Sequence, residues 1–468
     1  MHHQISPETE CPFHHSTPPN SDNEPRESQL TASLPPRFYR QAELLGDPSD
    51  FLNGLIEDYG DFVHYRGLFD FYLINEASLV SQVFKQTHRQ FNKQTPIYRR
   101  FRSALGDSLV NAEGDNWKTR RKTMSPSFTP TAANSFFALM QEQTAQSLKR
   151  WGGEINLGEV MNRLALEVSG KALFSCSFDE RSQDIFRWVK AVNHYSAQPP
   201  FPVVGSPWFP RPSKFKMERA WKEFRSFVQE LIVGRREGKE EKGDLFTILT
   251  GMTNPETGEG FSDDEVAEEV LGMIIGSHES TATTLTWLFY ELGKNAAFYQ
   301  DLIAEIDEVL GCKELTQEDL ASLPLLKQAL YETLRLHPPF WFENRCTTEK
   351  VTLGGEVLEK GALVVLSRQA LHRNEKYWAD PEQFRPERFD EKTVKIEELV
   401  RSGCYVPFSS GPRMCIGRHF AMLQMMLIAV GVLRRFEVKV PEGQSARVST
   451  KLTMALRDGL KVRLKARG

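Results

Sequence analysis

Pro407-Phe408-Ser409-Ser410-Gly411-Pro412-Arg413-Met414-Cys415-Ile416-Gly417-Arg418 sets a single cysteine in a loop between an apolar anchor, Phe408, and two glycines. Arg413 stands two positions before Cys415, and a helix is expected to begin just after it. That arrangement suits a thiolate bonded to a metal. Gly411 lets the backbone turn tightly, and Gly417 lets a flat, bulky ligand approach closely. The loop amides and the N-terminus of the following helix stabilise negative charge on sulfur. A small buried cysteine in a Gly/Pro turn is the plainer alternative. The spacing from Phe408 to Gly417 weighs against it.

A chain of 468 residues is long enough for a large core and for more than one domain. Its formal net charge of -4 carries no global nucleic-acid signature. No run approaches the roughly 18–20 uninterrupted apolar residues that span a bilayer. Nor does a charged segment followed by an apolar one open the chain, so neither a membrane span nor a secretory leader is expected. Six cysteines (Cys11, Cys176, Cys312, Cys346, Cys404, Cys415) lie scattered without pairs or a disulfide rhythm, which suits a reducing cytoplasm.

Residues 1–33 are polar and Pro-rich and read as a disordered tail. His14-His15 near Cys11 offers metal ligands, but with no ordered scaffold around them a plain tail is the better reading. Residues 34–468 read as one catalytic domain without a second linker or an internal repeat. Helical periodicity dominates after residue 110, and short β-type runs fall around 61–74, 351–365 and 438–464. The fold class is therefore mainly α with small β-sheets. Ser262-Asp263-Asp264-Glu265 is a capping box that opens a helix running to about Gly293. A second helix covers 323–336 and stops at Pro338-Pro339.

The long helix is apolar on both sides of its middle, yet the middle reads Gly276-Ser277-His278-Glu279-Ser280-Thr281. Small and polar residues weaken a helix there, and an acid beside a hydroxyl is costly unless paired or hydrated. A groove opened at Gly276 would admit a flat cofactor and O2, with Glu279 and Ser280 relaying protons. Hydroxyls bonded back to earlier carbonyls in a kinked helix are an equal alternative. In the second helix, Glu332 and Arg335 share a face at i,i+3, and the flanking leucines argue that the pair is buried. A buried pair needs further partners, and Arg388 in Pro386-Glu387-Arg388-Phe389 is the obvious third member. Trp117 and Arg121 stand at i,i+4 in another expected helix, where Arg121 suits bidentate binding of a carboxylate.

These four motifs together resemble the cytochrome P-450 family over residues 35–468. The loop Phe408…Gly411…Arg413…Cys415…Gly417 matches the family signature in full, and Glu332-Thr333-Leu334-Arg335 matches its paired Glu/Arg. Residues 386–389 match the segment that completes that triad, Trp117…Arg121 matches the C-helix pair, and 276–281 falls at the oxygen-binding groove. The resemblance implies a triangular helical prism around a long central helix, haem b as cofactor, and Cys415 as the proximal iron ligand. Thiolate ligation pushes electron density onto the iron and favours O–O cleavage. By the same resemblance Trp117, Arg121, Arg345 and Arg413 hold the haem propionates, and Glu332, Arg335 and Arg388 form a structural triad. Two positions depart from the pattern: Ser277 stands where glycine is usual, and Ser280 where threonine is usual. Serine lacks the methyl that restricts the threonine rotamer, so looser proton delivery and some loss of electrons to peroxide are expected.

The resemblance implies a monooxygenase that inserts one oxygen atom of O2 into a C–H bond or a double bond of a hydrophobic small molecule. Fatty acid, terpenoid and polyketide-like substrates fit equally. With no flavin or iron–sulfur module attached, electrons are expected from a ferredoxin or flavodoxin and its NAD(P)H-dependent reductase. Lys118, Arg120, Lys122, Arg401 and Arg418 would form the basic docking face of a monomer. By analogy the substrate faces 96–109, Gly272, Met273, Gly276, Ser277, Phe340, Trp341, Phe342 and 452–456. Residues 199–212 read as a mobile lid, with a membrane contact as the alternative. Non-hydroxylating chemistry (oxidative coupling or peroxide-driven oxidation) and a non-catalytic haem sensor remain open as rival readings. Glu279 and Ser280 argue against both.

Overall fold

The computed structural model describes residues 30–467 apart from 68, 88, 177, 179–180, 197–211, 238–243, 254–257, 445 and 451–452. The expected tail up to residue 29, with Cys11 and its histidine pair, and all but the last residue of the expected lid lie outside the described residues. Ser33, at the end of the expected tail, is tied down. Its N–H donates to Phe62 O at 3.0 Å, and His64 N–H donates to Ser33 O at 2.9 Å.

The described chain is mainly helical with four small sheets, and it divides into two compact units. The first takes the chain up to Thr95 together with Tyr331–Cys415. Its five-stranded sheet runs in the order Phe62–Arg66, Asp70–Ile74, Leu363–Ser367, Phe342–Thr347, Phe91–Asn92. Neighbours are antiparallel except Asp70–Ile74 and Leu363–Ser367, which pair in parallel with Tyr72 opposite Val364. Leu363–Ser367 reads Leu-Val-Val-Leu-Ser, a continuous apolar run with four of five residues buried, as a central strand requires. Helix Ala77–Lys85 lays Val80, Val83 and Phe84 into the same core, with Trp378, Phe389 and Tyr405.

The second unit takes Pro96–Leu330 and Ile416–Gly468. Its axis is helix Asp263–Lys294, 32 residues and so about 48 Å at 1.5 Å per residue. The capping box forms as expected. Ser262 Oγ accepts from Glu265 N, and the Glu265 carboxylate accepts from Ser262 N at 2.9 Å. Helix Leu157–Phe174 packs along it. A three-stranded sheet joins Gly153–Asn156, Lys461–Ala466 and Phe436–Lys439, and a hairpin pairs Val448–Thr450 with Met454–Leu456. Trp287 of the long helix donates its indole N–H to Met454 O at 2.8 Å, which fixes the hairpin against the helix.

Strand Phe342–Thr347 was not foreseen. Its Glu343-Asn344-Arg345 interrupts the apolar signal because the charges satisfy one another inside the unit instead of facing water.

Candidate active site

The cysteine loop lies in the first unit up to Cys415. Gly411 has φ +67, and a Cβ there would stand 2.3 Å from Phe84 O, so the turn admits no side chain. Cys415 N–H donates to Phe408 O at 2.8 Å and Met414 N–H to Gly411 O at 3.1 Å, closing the loop on itself. The Cys415 residue is exposed while Phe408 is half-buried and Arg413 is buried. The extended segment entering the loop is held by two side chains. Tyr405 Oη donates to Tyr331 O at 2.7 Å, and Val406 N–H donates to His372 Nε2 at 2.9 Å. Burial first, and then the positive charges of Arg368 and Arg335, push the His372 pKa well below its ordinary value, so the ring stays an acceptor. Sequence reasoning missed His372, since a lone histidine in a loop carries no signal of its own.

The expected triad assembles in this unit. Arg335 binds Glu332 through two parallel N–H bonds at 2.7 and 2.8 Å, both side chains being fully closed off. Arg388 Nε lies 3.4 Å from the same carboxylate, and Arg385 N–H donates to it at 2.8 Å. Arg335 spends its other donors on His372 O, Pro381 O and Gln383 O. All five donors of Arg335 and both oxygens of Glu332 thus have partners, which offsets the desolvation of a buried pair. Arg345 is 1% exposed and pairs with Glu343, which also binds Arg368. Burial raises the Glu343 pKa, but Arg345, Arg368 and Lys93 outweigh it and hold the carboxyl at about 2. Phe340 stands 40% exposed, whereas Trp341 is buried with its ring 4.5 Å from that of Phe342.

In the second unit the middle of the long helix behaves as its composition suggests. Leu271 to Ile275 are buried, then Gly276 is exposed, and a Cβ on it would meet nothing within 4 Å. Ser280 Oγ donates to Gly276 O at 2.9 Å and Thr281 Oγ1 to Ser277 O at 3.1 Å, the back-bonding weighed above. Gly272 and Met273 are buried and Ser277 is half-buried. His278 faces the other way, fully enclosed. Burial lowers its pKa, and Nδ1–H donates to Ile274 O. Glu279 is gripped from both sides: Asn193 Nδ2 donates to Oε2 at 2.5 Å and Thr453 Oγ1 to Oε1 at 2.7 Å. Both donors come from distant segments, helix Ser182–Ser196 and the hairpin turn before Met454, so no local motif announced them.

Trp117 and Arg121 occupy helix Gly114–Met124 at i,i+4 as expected, the tryptophan buried and the arginine half-buried. Arg120 departs from expectation. It is 1% exposed and bonded to Glu269 at 2.7 Å, so it belongs to no docking surface. Its neighbours Lys118 and Lys122 are exposed.

The residues fit a thiolate-held haem. Among the described residues no group of three or more His, Cys, Asp and Glu side chains could hold a bare metal ion. Gly417 has an ordinary φ of -87, and a Cβ on it would come no closer than 4.0 Å to Phe128. Neither Gly417 nor Gly276 is therefore demanded by the protein's own packing, and both leave room for something flat to approach. No described helix is long and apolar enough to cross a membrane.

The cytochrome P-450 family model matches residues 39–465. Cyclooctat-9-en-7-ol 5-monooxygenase of Streptomyces melanosporofaciens is 31% identical, over 91% of this chain and 94% of its own length. Cytochrome P-450 4F4 of Rattus norvegicus is 28% identical, and leukotriene-B4 omega-hydroxylase 3 of Mus musculus is 26% identical, each over 80% of this chain and 76% of its own. With the cysteine loop, the buried Glu332–Arg335 pair and the opened helix already in view, these matches place the chain in the cytochrome P-450 family of haem-thiolate monooxygenases.

Proposed function

We propose that this monooxygenase binds haem b through Cys415, with Trp117, Arg121, Arg345 and Arg413 around the propionates, and oxygenates a compact cyclic terpenoid-like substrate. Phe408, Gly411, Gly276 and Gly417 shape the cofactor's seat. Haem iron, when bound, supplies the centre at which O2 is reduced and split. The chain's own residues supply the protons: Glu279 is the acid and Ser280 the hydroxyl beside it. Asn193 and Thr453 fix the rotamer of the Glu279 carboxyl, and they supply no proton themselves. The exposed Gly276, one turn before Ser280 in an otherwise buried run, carries this reading. Electrons come from a separate redox protein, here a ferredoxin or flavodoxin with its NAD(P)H-dependent reductase. The exposed Lys118 and Lys122 suit an acidic partner. A reducing cytoplasm fits the scattered cysteines, and the protein is read as a monomer.

The preference for a cyclic substrate over a long fatty acid rests on the relative named for cyclooctat-9-en-7-ol, which matches this chain over nearly its whole length. The family resemblance assigns Met273, Phe340 and Phe342 to the substrate, and all three side chains are apolar, as a hydrophobic substrate requires. A spectral binding screen of the ferric protein tests this. Cyclic terpenoid alcohols should displace iron-bound water and shift the Soret band at lower concentration than long-chain fatty acids. A response to fatty acids alone would overturn the preference. Failure of the carbon monoxide adduct to show a thiolate-type Soret band would overturn the assignment of Cys415.

A further inference from the structure

Arg120 and Glu269 are 1% and 0% exposed, and charged side chains are almost never closed off so fully unless they are paired. Arg120 projects from helix Gly114–Met124, with Nη1 donating to Glu269 Oε1 at 2.7 Å and Nε to Asn116 Oδ1 at 2.7 Å. Its guanidinium also lies 4.5 Å from the Phe261 ring and 3.5 Å from Glu265. Glu269 gives its remaining acceptor capacity to the loop that precedes that helix. Leu109 N–H donates to both carboxylate oxygens, at 2.9 and 3.1 Å. The adjacent Glu268 accepts from Asp107 N–H at 3.0 Å.

The loop is shaped to be held there. Arg102 Nη2 donates to Asn111 O at 2.7 Å while its Nε lies 2.6 Å from the Asp107 carboxylate, and Asn111 Nδ2 donates to Gly106 O at 3.2 Å. Gly106 has φ +61, and a Cβ there would collide with the Glu268 carboxylate. Gly272, almost one turn beyond Glu269, leaves just enough room for Ser108, whose Oγ would lie 3.1 Å from an added Cβ. Three segments therefore meet at one pair of acids: the long helix, the loop 106–112 and the helix that carries Trp117 and Arg121.

We propose that Glu269 is a positioning residue that clamps the loop 106–112 and helix Gly114–Met124 to the long helix and thereby sets how bulky a molecule the site admits. The proposal rests on the haem-thiolate reading above, in which this loop faces substrate. Ordinary packing would not call for such a pair. Replacing a buried ion pair by apolar residues is often neutral or stabilising, so the charges here give direction to three segments in place of cohesion alone. Burial pushes the Glu269 pKa up to about 7 despite Arg120 beside it. The contacts of Glu269 with Arg120 and Leu109 therefore change charge state near neutrality, and because folding raises this pKa the ionised form is the less stabilised one. The charged groups facing Glu269 are Arg120 from the neighbouring helix, Glu265 and Glu268 from its own, and Asp107 from the loop, itself paired with Arg102 of helix Pro96–Leu105.

The test uses the full haem-loaded chain and its Glu269→Gln and Glu269→Asp variants. Imidazole and 4-phenylimidazole serve as small and bulky iron ligands in spectral titrations, and amide hydrogen exchange is followed at Asp107 and Leu109. Glu269→Gln should speed exchange at Leu109 and change the ratio of 4-phenylimidazole to imidazole affinity, each by about tenfold, roughly the loss of one charge-assisted bond. Imidazole affinity alone should move by less than about twofold. In the parent protein the ratio should change between about pH 6 and 8 as Glu269 ionises, and in Glu269→Gln it should be flat. Glu269→Asp, which keeps the charge on a shorter arm, should recover part of the ratio.

Should Glu269→Gln fail to fold, Glu268→Gln leaves the Arg120 pair intact and should speed exchange at Asp107 by roughly threefold. Unchanged exchange and an unchanged ratio in a folded Glu269→Gln protein would overturn the clamp. Absence of any imidazole-induced band in the parent protein would instead overturn the haem reading, and exchange at Leu109 would still judge the clamp.

Discussion

Ser280 carries the hydroxyl beside Glu279 without the methyl that would restrict it, and its Oγ is bonded to Gly276 O at 2.9 Å. Threonine at this position would hold the same bond with fewer rotamers to lose. Ser280→Thr should therefore raise product formed per NAD(P)H consumed by about twofold, and Ser280→Ala should lower it by about tenfold with a matching rise in peroxide. Equal peroxide yields in all three proteins would remove Ser280 from proton delivery. The same logic reaches Thr453 and Asn193, which hold the two oxygens of Glu279. Thr453→Val keeps the shape and removes one donor. Turnover should fall by about fivefold to tenfold, roughly one hydrogen bond, while the dissociation constant for bound substrate stays within about twofold. A change confined to binding would make Thr453 a pocket residue instead. The polar break at Glu279 and Ser280 was legible in Gly276–Thr281 because polar residues in an apolar helix need a reason. Their holders were not, since Asn193 and Thr453 are ordinary residues that only the packed chain brings alongside.

At the scale of elements, helix Pro324–Leu336 does its work at its C-terminal end, where Glu332 and Arg335 meet the short helical turn Pro386–Phe389. The i,i+3 spacing and the leucines around it disclosed a buried pair, and the Pro-Glu-Arg-Phe sequence supplied its third member. What the sequence left dark was the reach of Arg335 to the carbonyls of His372, Pro381 and Gln383, which ties this helix end to the segment leading toward Cys415. Glu332→Gln keeps the shape but strands two arginines in a buried site. It should destabilise the protein by about 3–5 kcal/mol, the usual cost of breaking a buried pair from one side. Thermal unfolding of the variant, followed together with loss of the haem Soret band, measures this. A protein that unfolds at the parent temperature would show the triad to be dispensable. The strand Phe342–Thr347 is the contrasting case among elements. Its charged centre hid it, because Glu343 and Arg345 look solvent-facing until their mutual pairing is seen.

Across the whole molecule, the charges that matter are those whose proton affinity changes on folding, and they pull in opposite directions. Glu269 has a raised folded pKa of about 7 against an ordinary 4.5. Its contribution is fully present below the ordinary value and is lost as pH rises through about 7. His372 behaves oppositely. It is held neutral well below its ordinary 6.5, so folding must exclude a proton that the unfolded chain would take, and stability falls as pH drops below that value. Glu343 adds to the acid side, with a folded pKa of about 2 against 4.5. Its contribution is present above 4.5 and is lost as pH falls from there toward 2, amounting to at most roughly 3.4 kcal/mol at 1.36 kcal/mol per unit. Glu343→Gln should therefore lower stability at pH 7 but flatten the decline between pH 4.5 and 2, leaving the limb near pH 6 that His372 governs. Chemical unfolding of parent and variant at a series of pH values separates the two limbs. If the variant lost stability at pH 7 and still declined as steeply below pH 4.5, the acid limb would belong to other carboxylates, and the pairing of Glu343 with Arg345 and Arg368 would be structural without being titrated.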